Sequence, residues 1–180
     1  MPITQFLHVS IGVSDPEKSV PFYRDILGFK HLATLHYDQP GPAQVMGFKD
    51  ADFTVWLMMR DGFRLELIHF NNPKSDPLPS RPRTNDLGLS HLTVGIEDPE
   101  KTMAELKARG VKVWEHTVGN FDQNAPGFMF LFEDPDGFLI ECYMARPDGK
   151  FPYGNDSKVS SPRSQPRRQS GKARRQTANK

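Results

Sequence analysis

Two histidines and two glutamates stand where their types are hard to explain as solvated surface. His8 lies in FLHVSIGV and His91 in LSHLTVGI, each followed at alternate positions by small residues: Ser10 and Gly12 after the first, Thr93 and Gly95 after the second. Glu66 sits between leucines in RLELI, and Glu141 sits between Ile140 and Cys142. A carboxylate in mid-strand with apolar neighbours needs a partner, most economically a cation. Two imidazoles and two carboxylates, with no thiolate, suit one borderline divalent ion such as Zn, Ni, Co, Mn or Fe(II). Carboxylate ligands also leave exchangeable positions for water and substrate.

These four residues occur as two equivalent pairs because the chain repeats. The stretch FLHVSIGVSDPEKSVPFYRDILGFK from Phe6 matches LSHLTVGIEDPEKTMAELKARGVKV from Leu89. His8 aligns with His91, Gly12 with Gly95, and Asp15-Pro16-Glu17-Lys18 with Asp98-Pro99-Glu100-Lys101, all 83 positions apart. An internal duplication dictates architecture before any local feature does.

The elements that must position the pairs follow from hydrophobic period and punctuation. Apolar Leu7, Val9, Ile11 and Val13 alternate along a first strand, about Phe6–Val13, which puts His8 and Ser10 on the other face. Asp15 caps a helix with Pro16 at its first position, expected to run to about Leu27 and to stop at Gly28. Strand-like stretches follow at Lys30–Tyr37, Ala43–Phe48, Phe53–Met59 and Phe63–Phe70. The second copy predicts a strand Ser90–Ile96, a helix Pro99–Arg109 closed by Gly110, and strands Lys112–Val118, Phe128–Phe132 and Phe138–Met144. The unit is strand–helix–strand–strand–strand, made twice. The modules span about 6–70 and 89–145 within a domain of residues 1–150, joined by a Pro- and Asn-rich linker over 71–88.

The remaining histidines, His31, His36, His69 and His116, have no counterpart in the other repeat and read as surface or packing residues. His69 falls on the strand face opposite Glu66. Cys142 faces away from Glu141 and reads as a core thiol. As the sole cysteine among 180 residues it allows no intrachain disulfide. No leader and no membrane span is expected, so a cytosolic location is the expectation. There is no nucleophile–base pair at recognisable spacing, no phosphate-cradling loop and no dinucleotide fingerprint.

Charge is lopsided. The whole chain carries +1, yet Asp156–Lys180 holds eight basic residues and one acid, so a domain of −6 ends in a segment of +7. That segment has too few apolar residues to offset the entropy of ordering, and residues 151–180 are expected to be a disordered basic tail. From Asp156 to Lys180 there is no aromatic residue to stack on a base, which argues against nucleic acid.

The opening FLHVSIGVSDPEKSVPFYRDILGF, the strand LELIHF, the repeat SHLTVGIEDPEKTMAELKARGV and the close FLFEDPDGFLIECY together resemble the vicinal oxygen chelate superfamily. That group includes glyoxalase I, methylmalonyl-CoA epimerase, extradiol ring-cleaving dioxygenases and the fosfomycin- and bleomycin-resistance proteins. The resemblance spans nearly all of residues 6–145. It implies an α+β fold in which paired βαβββ modules form a cupped mixed sheet around one metal, with the ligand positions falling on His8, Glu66, His91 and Glu141. A His-Glu-His-Glu set is similar to that of bacterial-type glyoxalase I. The epimerase typically has Gln where Glu66 stands, and the dioxygenases use two His and one Glu.

The chemistry expected of this set is proton transfer beside a carbonyl, with the ion as a Lewis acid stabilising an enediolate. Glu141, ahead of Glu66, is expected to take the carbon-bound proton. The leading expectation is a lyase or isomerase acting on a thiol adduct of a 2-oxoaldehyde, like lactoylglutathione lyase. The alternatives are an acyl-CoA epimerase, an extradiol dioxygenase and a non-catalytic drug-binding protein. A small-molecule substrate and a homodimer are expected. Trp56, Phe128, Phe130 and Tyr143 are candidates to line the pocket, with plain core packing as the alternative.

Overall fold

The computed structural model describes residues 3–78, 83–119 and 128–144. The two modules appear as expected. The first contains β1 (Val9–Gly12), α1 (Pro16–Pro21), β2 (Lys30–Tyr37), α2 (Pro40–Val45), β3 (Asp52–Arg60) and β4 (Phe63–Asn72). The second contains β5 (His91–Ile96), α3 (Pro99–Ala108), β6 (Val113–Gly119), β7 (Met129–Glu133) and β8 (Leu139–Met144). Each forms a four-stranded mixed sheet, ordered β1-β4-β3-β2 and β5-β8-β7-β6. In both, the first strand runs parallel to the last and the other pairs are antiparallel. The expected tail over 151–180 lies outside the described residues.

The helix starts are set as the sequence predicts. The Asp15 side chain accepts from Glu17 N and the Asp98 side chain from Lys101 N, each with proline at the first helical position. The first helix then departs from expectation. Pro21 has no N–H to return to the preceding turn, so regular helix ends there and the chain continues as a π-helical turn, Phe22–Ile26. Gly28 and Gly110 follow the helices at φ of +69° and +75°, a conformation that glycine adopts without strain.

Three expectations need correction. Ala43–Phe48 is not a strand: Pro40 opens α2 at a position where its missing N–H costs nothing, and Gly47 ends the turn at φ +83°. Ala43 turns inward and is fully buried while Val45 is 85% exposed, a helical rather than an alternating pattern. β1 is shorter than Phe6–Val13. Its apolar stripe is buried at Ile11 and Val13, but Leu7 stands in solvent. β4 extends to Asn72, into the stretch expected to be linker.

One core joins the modules. Ile11, Leu65, Leu67 and Met58 of the first sheet pack with Phe22 and Tyr23 of the π-helical turn, with Leu106 of α3, and with Phe130, Phe132, Ile140 and Cys142 of the second sheet. The contact is both apolar and polar. Phe22 and Phe132 ring centroids lie 6.3 Å apart, and the Tyr23 hydroxyl donates to buried Asp134 at 2.9 Å. Ser14 N and Ser19 Oγ donate to Asp136. The EDPDG segment, Glu133–Gly137, is thus the turn that ties the second sheet to the first module's helix. Burial pushes the Asp134 carboxyl above the usual carboxylate range and drives the Tyr23 phenol far above its own.

Candidate metal and proton-transfer site

Both sheets turn one face to the shared core, and strand alternation puts the glutamates on the other face. In β4, Leu65 and Leu67 are buried in that core, so Glu66 between them points away from it. In β8, Ile140 and Cys142 are buried and Glu141 likewise points outward. The parallel register sets Ser10 beside Glu66 and Thr93 beside Glu141.

Those two hydroxyls hold the two carboxylates. Ser10 Oγ donates to Glu66 Oε1 at 2.9 Å, and Thr93 Oγ1 donates to Glu141 Oε2 at 2.8 Å. The histidines come next. His8 Nε2 lies 3.8 Å from Glu66 Oε2, and His91 Nε2 lies 3.9 Å from Glu141 Oε2. Ser90 Oγ and His91 Nδ1 are hydrogen-bonded at 2.8 Å, which fixes that ring with Nε2 toward the carboxylate. The Glu66 and Glu141 side chains are 17% and 15% exposed, against 43% and 33% for His8 and His91, so each pair opens to solvent on the histidine side.

The donor spacing fits an ion better than it fits a direct bond. A separation of 3.8 Å exceeds a hydrogen bond. Two ligands of one ion, each at about 2.0–2.2 Å, can stand up to roughly 4 Å apart. An imidazole with a carboxylate whose other contact is a hydroxyl is a donor set for a borderline divalent ion. Each pair therefore fits as half of a site. Within one chain the halves stay apart: among the described residues no group of three or more His, Cys, Asp or Glu is placed to hold one ion.

The other candidates divide. Phe130 is fully buried on the core face, paired with Cys142, and Trp56 and Phe128 pack against the same core, so the packing alternative describes these three. Tyr143 alternates with Cys142 and shares the face of Glu141. His69 Nδ1 donates to the Val13 carbonyl at 2.9 Å, away from Glu66, while His31 and His36 bond to Thr34 and Thr54. Cys142 is buried, its thiol pushed up to about 12 mainly by desolvation. No described helix is long and apolar enough to cross a membrane.

Sequence reasoning did not identify the work of Ser10 and Thr93, although their equivalence in the repeat was visible. It also passed over Trp114, which pairs with Leu131 as Leu131 pairs with Glu141, and so stands on the Glu141 face.

The geometry agrees with comparison to known proteins. A protein named YaeR from Escherichia coli (strain K12) is 32% identical over 141 residues, covering 78% of this chain and 96% of its own. A probable lactoylglutathione lyase from Synechocystis is 31% identical over 141 residues, covering 75% of this chain and 91% of its own. The crystal structure of a glyoxalase family protein from Bacillus cereus superposes with a TM-score of 0.68 over 80% of this chain and 97% of its own, at 19% identity, which speaks to the fold alone. The family model described as Glyoxalase/Bleomycin resistance protein/Dioxygenase superfamily matches residues 5–142, from before His8 to just past Glu141, and the chain belongs to that superfamily.

Proposed function

We propose that the chain is a metal-dependent lyase or isomerase of the glyoxalase I type, transferring a proton beside the carbonyl of a thiol adduct of a 2-oxoaldehyde. The observation that carries this reading is the repeated trio of His, Glu and hydroxyl, with each carboxylate pinned and each Nε2 set 3.8–3.9 Å from it. The likeness to a probable lactoylglutathione lyase of Synechocystis supports it. Since the two pairs face away from one shared core, we infer that two copies of the chain meet so that His8 and Glu66 of one face His91 and Glu141 of the other.

A divalent ion held by these four residues supplies a Lewis acid that makes the carbon-bound proton beside a carbonyl more acidic. This chain's residues do the rest. Glu141 takes the carbon-bound proton and becomes a carboxylic acid; a proton then goes to the neighbouring carbon either from Glu141 itself, which restores its carboxylate, or from Glu66 protonated from solvent, with Glu141 losing its own proton to solvent. Ser10 and Thr93 keep each carboxylate aimed, which lowers the entropic cost of reaching the transition state.

The test is a substrate panel after reconstitution with Ni, Zn, Co, Mn and Fe(II), run in deuterated water. The reading predicts isomerisation of a 2-oxoaldehyde thiol adduct, with solvent deuterium in the product and no net oxidation. Oxygen uptake with a catechol, and no turnover of any such adduct with any ion, would contradict it.

A further inference from the structure

The outward faces of the two sheets are built differently. Beside Glu66 the space is filled: Phe53, Val55 and Ile68 are buried, Ala43 of α2 and Ala51 seal them, and Phe53 and Phe70 ring centroids lie 5.1 Å apart. Beside Glu141 the register lines up Trp114, Leu131, Glu141 and Thr93 across the four strands. Residues paired in register share a face, so the indole stands on the side of Glu141, two strands away, about 10 Å at ordinary strand spacing.

That indole is fixed. Trp114 Nε1 donates to Glu133 Oε1 at 2.6 Å, and Glu133 is itself anchored by Lys112 Nζ at 2.7 Å. The ring stacks on the His116 imidazole, with centroids 5.4 Å apart and 23° between planes. Thr117 Oγ1 donates to the Trp114 carbonyl at 2.6 Å and accepts from Leu131 N at 2.9 Å, so a hydroxyl replaces a ladder bond and holds the strand just past the indole. With its only N–H committed to Glu133, Trp114 can offer a ligand its π surface and edge but no hydrogen bond.

We propose that Trp114, backed by His116, is the wall against which a flat, unsaturated substituent of the substrate stacks while the substrate's reacting oxygens lie at Glu141. This rests on the reading given under Proposed function and narrows its substrates to those carrying an aryl or other planar group. A small alkyl substituent would leave the indole face uncovered.

The test uses two chelating probes that differ only in the group presented to this wall, benzohydroxamate and acetohydroxamate, titrated into the full-length zinc-loaded protein. Wild type binds benzohydroxamate more tightly, and the preference falls about three- to tenfold in Trp114→Ala. Trp114→Phe keeps the preference within about twofold, which guards against a folding defect in the alanine variant. Benzohydroxamate also quenches tryptophan emission in wild type but not in Trp114→Phe, where core-packed Trp56 remains as the internal reference. An unchanged preference in Trp114→Ala, or equal quenching in Trp114→Phe, overturns this inference and leaves the metal reading standing. Failure of the zinc-loaded wild type to bind either probe overturns both.

Discussion

Thr93 Oγ1 donates a hydrogen bond to Glu141 Oε2 at 2.8 Å, across the parallel pair of β5 and β8. The bond is what keeps an outward-pointing acid from swinging free in a half-open site. Thr93→Val keeps the shape and removes the donor. It should weaken divalent-ion affinity about 10-fold, in the range typical of a partner that orients a ligand, while shifting thermal stability little. Ser10→Ala should do the same through Glu66. Isothermal titration with zinc reads both effects.

The two glutamates should differ in chemistry. Glu141→Gln should lower kcat on the panel substrate by about 10²–10⁴-fold, the usual worth of a general base. Glu66→Gln should cost less in kcat. Ion content measured alongside separates loss of the base from loss of the ion.

Shared sites predict complementation between copies. A His8→Ala/Glu66→Gln chain and a His91→Ala/Glu141→Gln chain should each be inactive. Mixed, unfolded and refolded together, they should recover activity through heterodimers in which one site has all four native residues. Continued inactivity of the mixture, with heterodimers demonstrated by mass, would place the site within one chain instead.

The Tyr23–Asp134 bond sets a pH dependence. The native Asp134 carboxyl titrates above its unfolded value because it is buried. Between those two values the native state holds more protons than the unfolded one, so this group's contribution is full below the unfolded value near 3.8 and is lost as pH rises through the native value. Asp134→Asn removes that loss. Its stability relative to wild type should therefore rise as pH increases above about 4, as read by urea midpoints. Tyr23→Phe leaves the buried acid one partner short and should cost about 1.5–3 kcal/mol.

Cys142 should be chemically silent. Its thiol is buried and pushed up to about 12. Native protein should resist iodoacetamide at neutral pH and become alkylated only on unfolding, a difference that intact mass resolves.

The duplicated βαβββ plan, the caps at Asp15 and Asp98 and the outward aim of Glu66 and Glu141 were legible in the sequence, because period and repeat are local properties. α2 was not, since Ala43 and Val45, like Met46 and Phe48, stand two apart as strand residues do, while the prolines at 40 and 42 and the burial of Ala43 decide the matter only against the sheet. The aromatic candidates divided for a related reason, with Tyr143 on the face of Glu141 and the other three at the core. Phe130 and Trp56 could be placed on a strand, but their faces depend on register with β8 and β4. The same register hid Trp114, whose neighbour Leu131 and next neighbour Glu141 lie far along the chain. The split of the four candidate ligands into two outward pairs was equally invisible, because it depends on how two modules share one core.

The most direct measurement is the divalent-ion content of the purified, reconstituted protein. The account predicts one ion per chain in wild type and almost none in either His8→Ala/Glu66→Gln or His91→Ala/Glu141→Gln, since each removes half of every shared site. Full occupancy in either double variant, or no bound ion in wild type with any of the five metals, would contradict it.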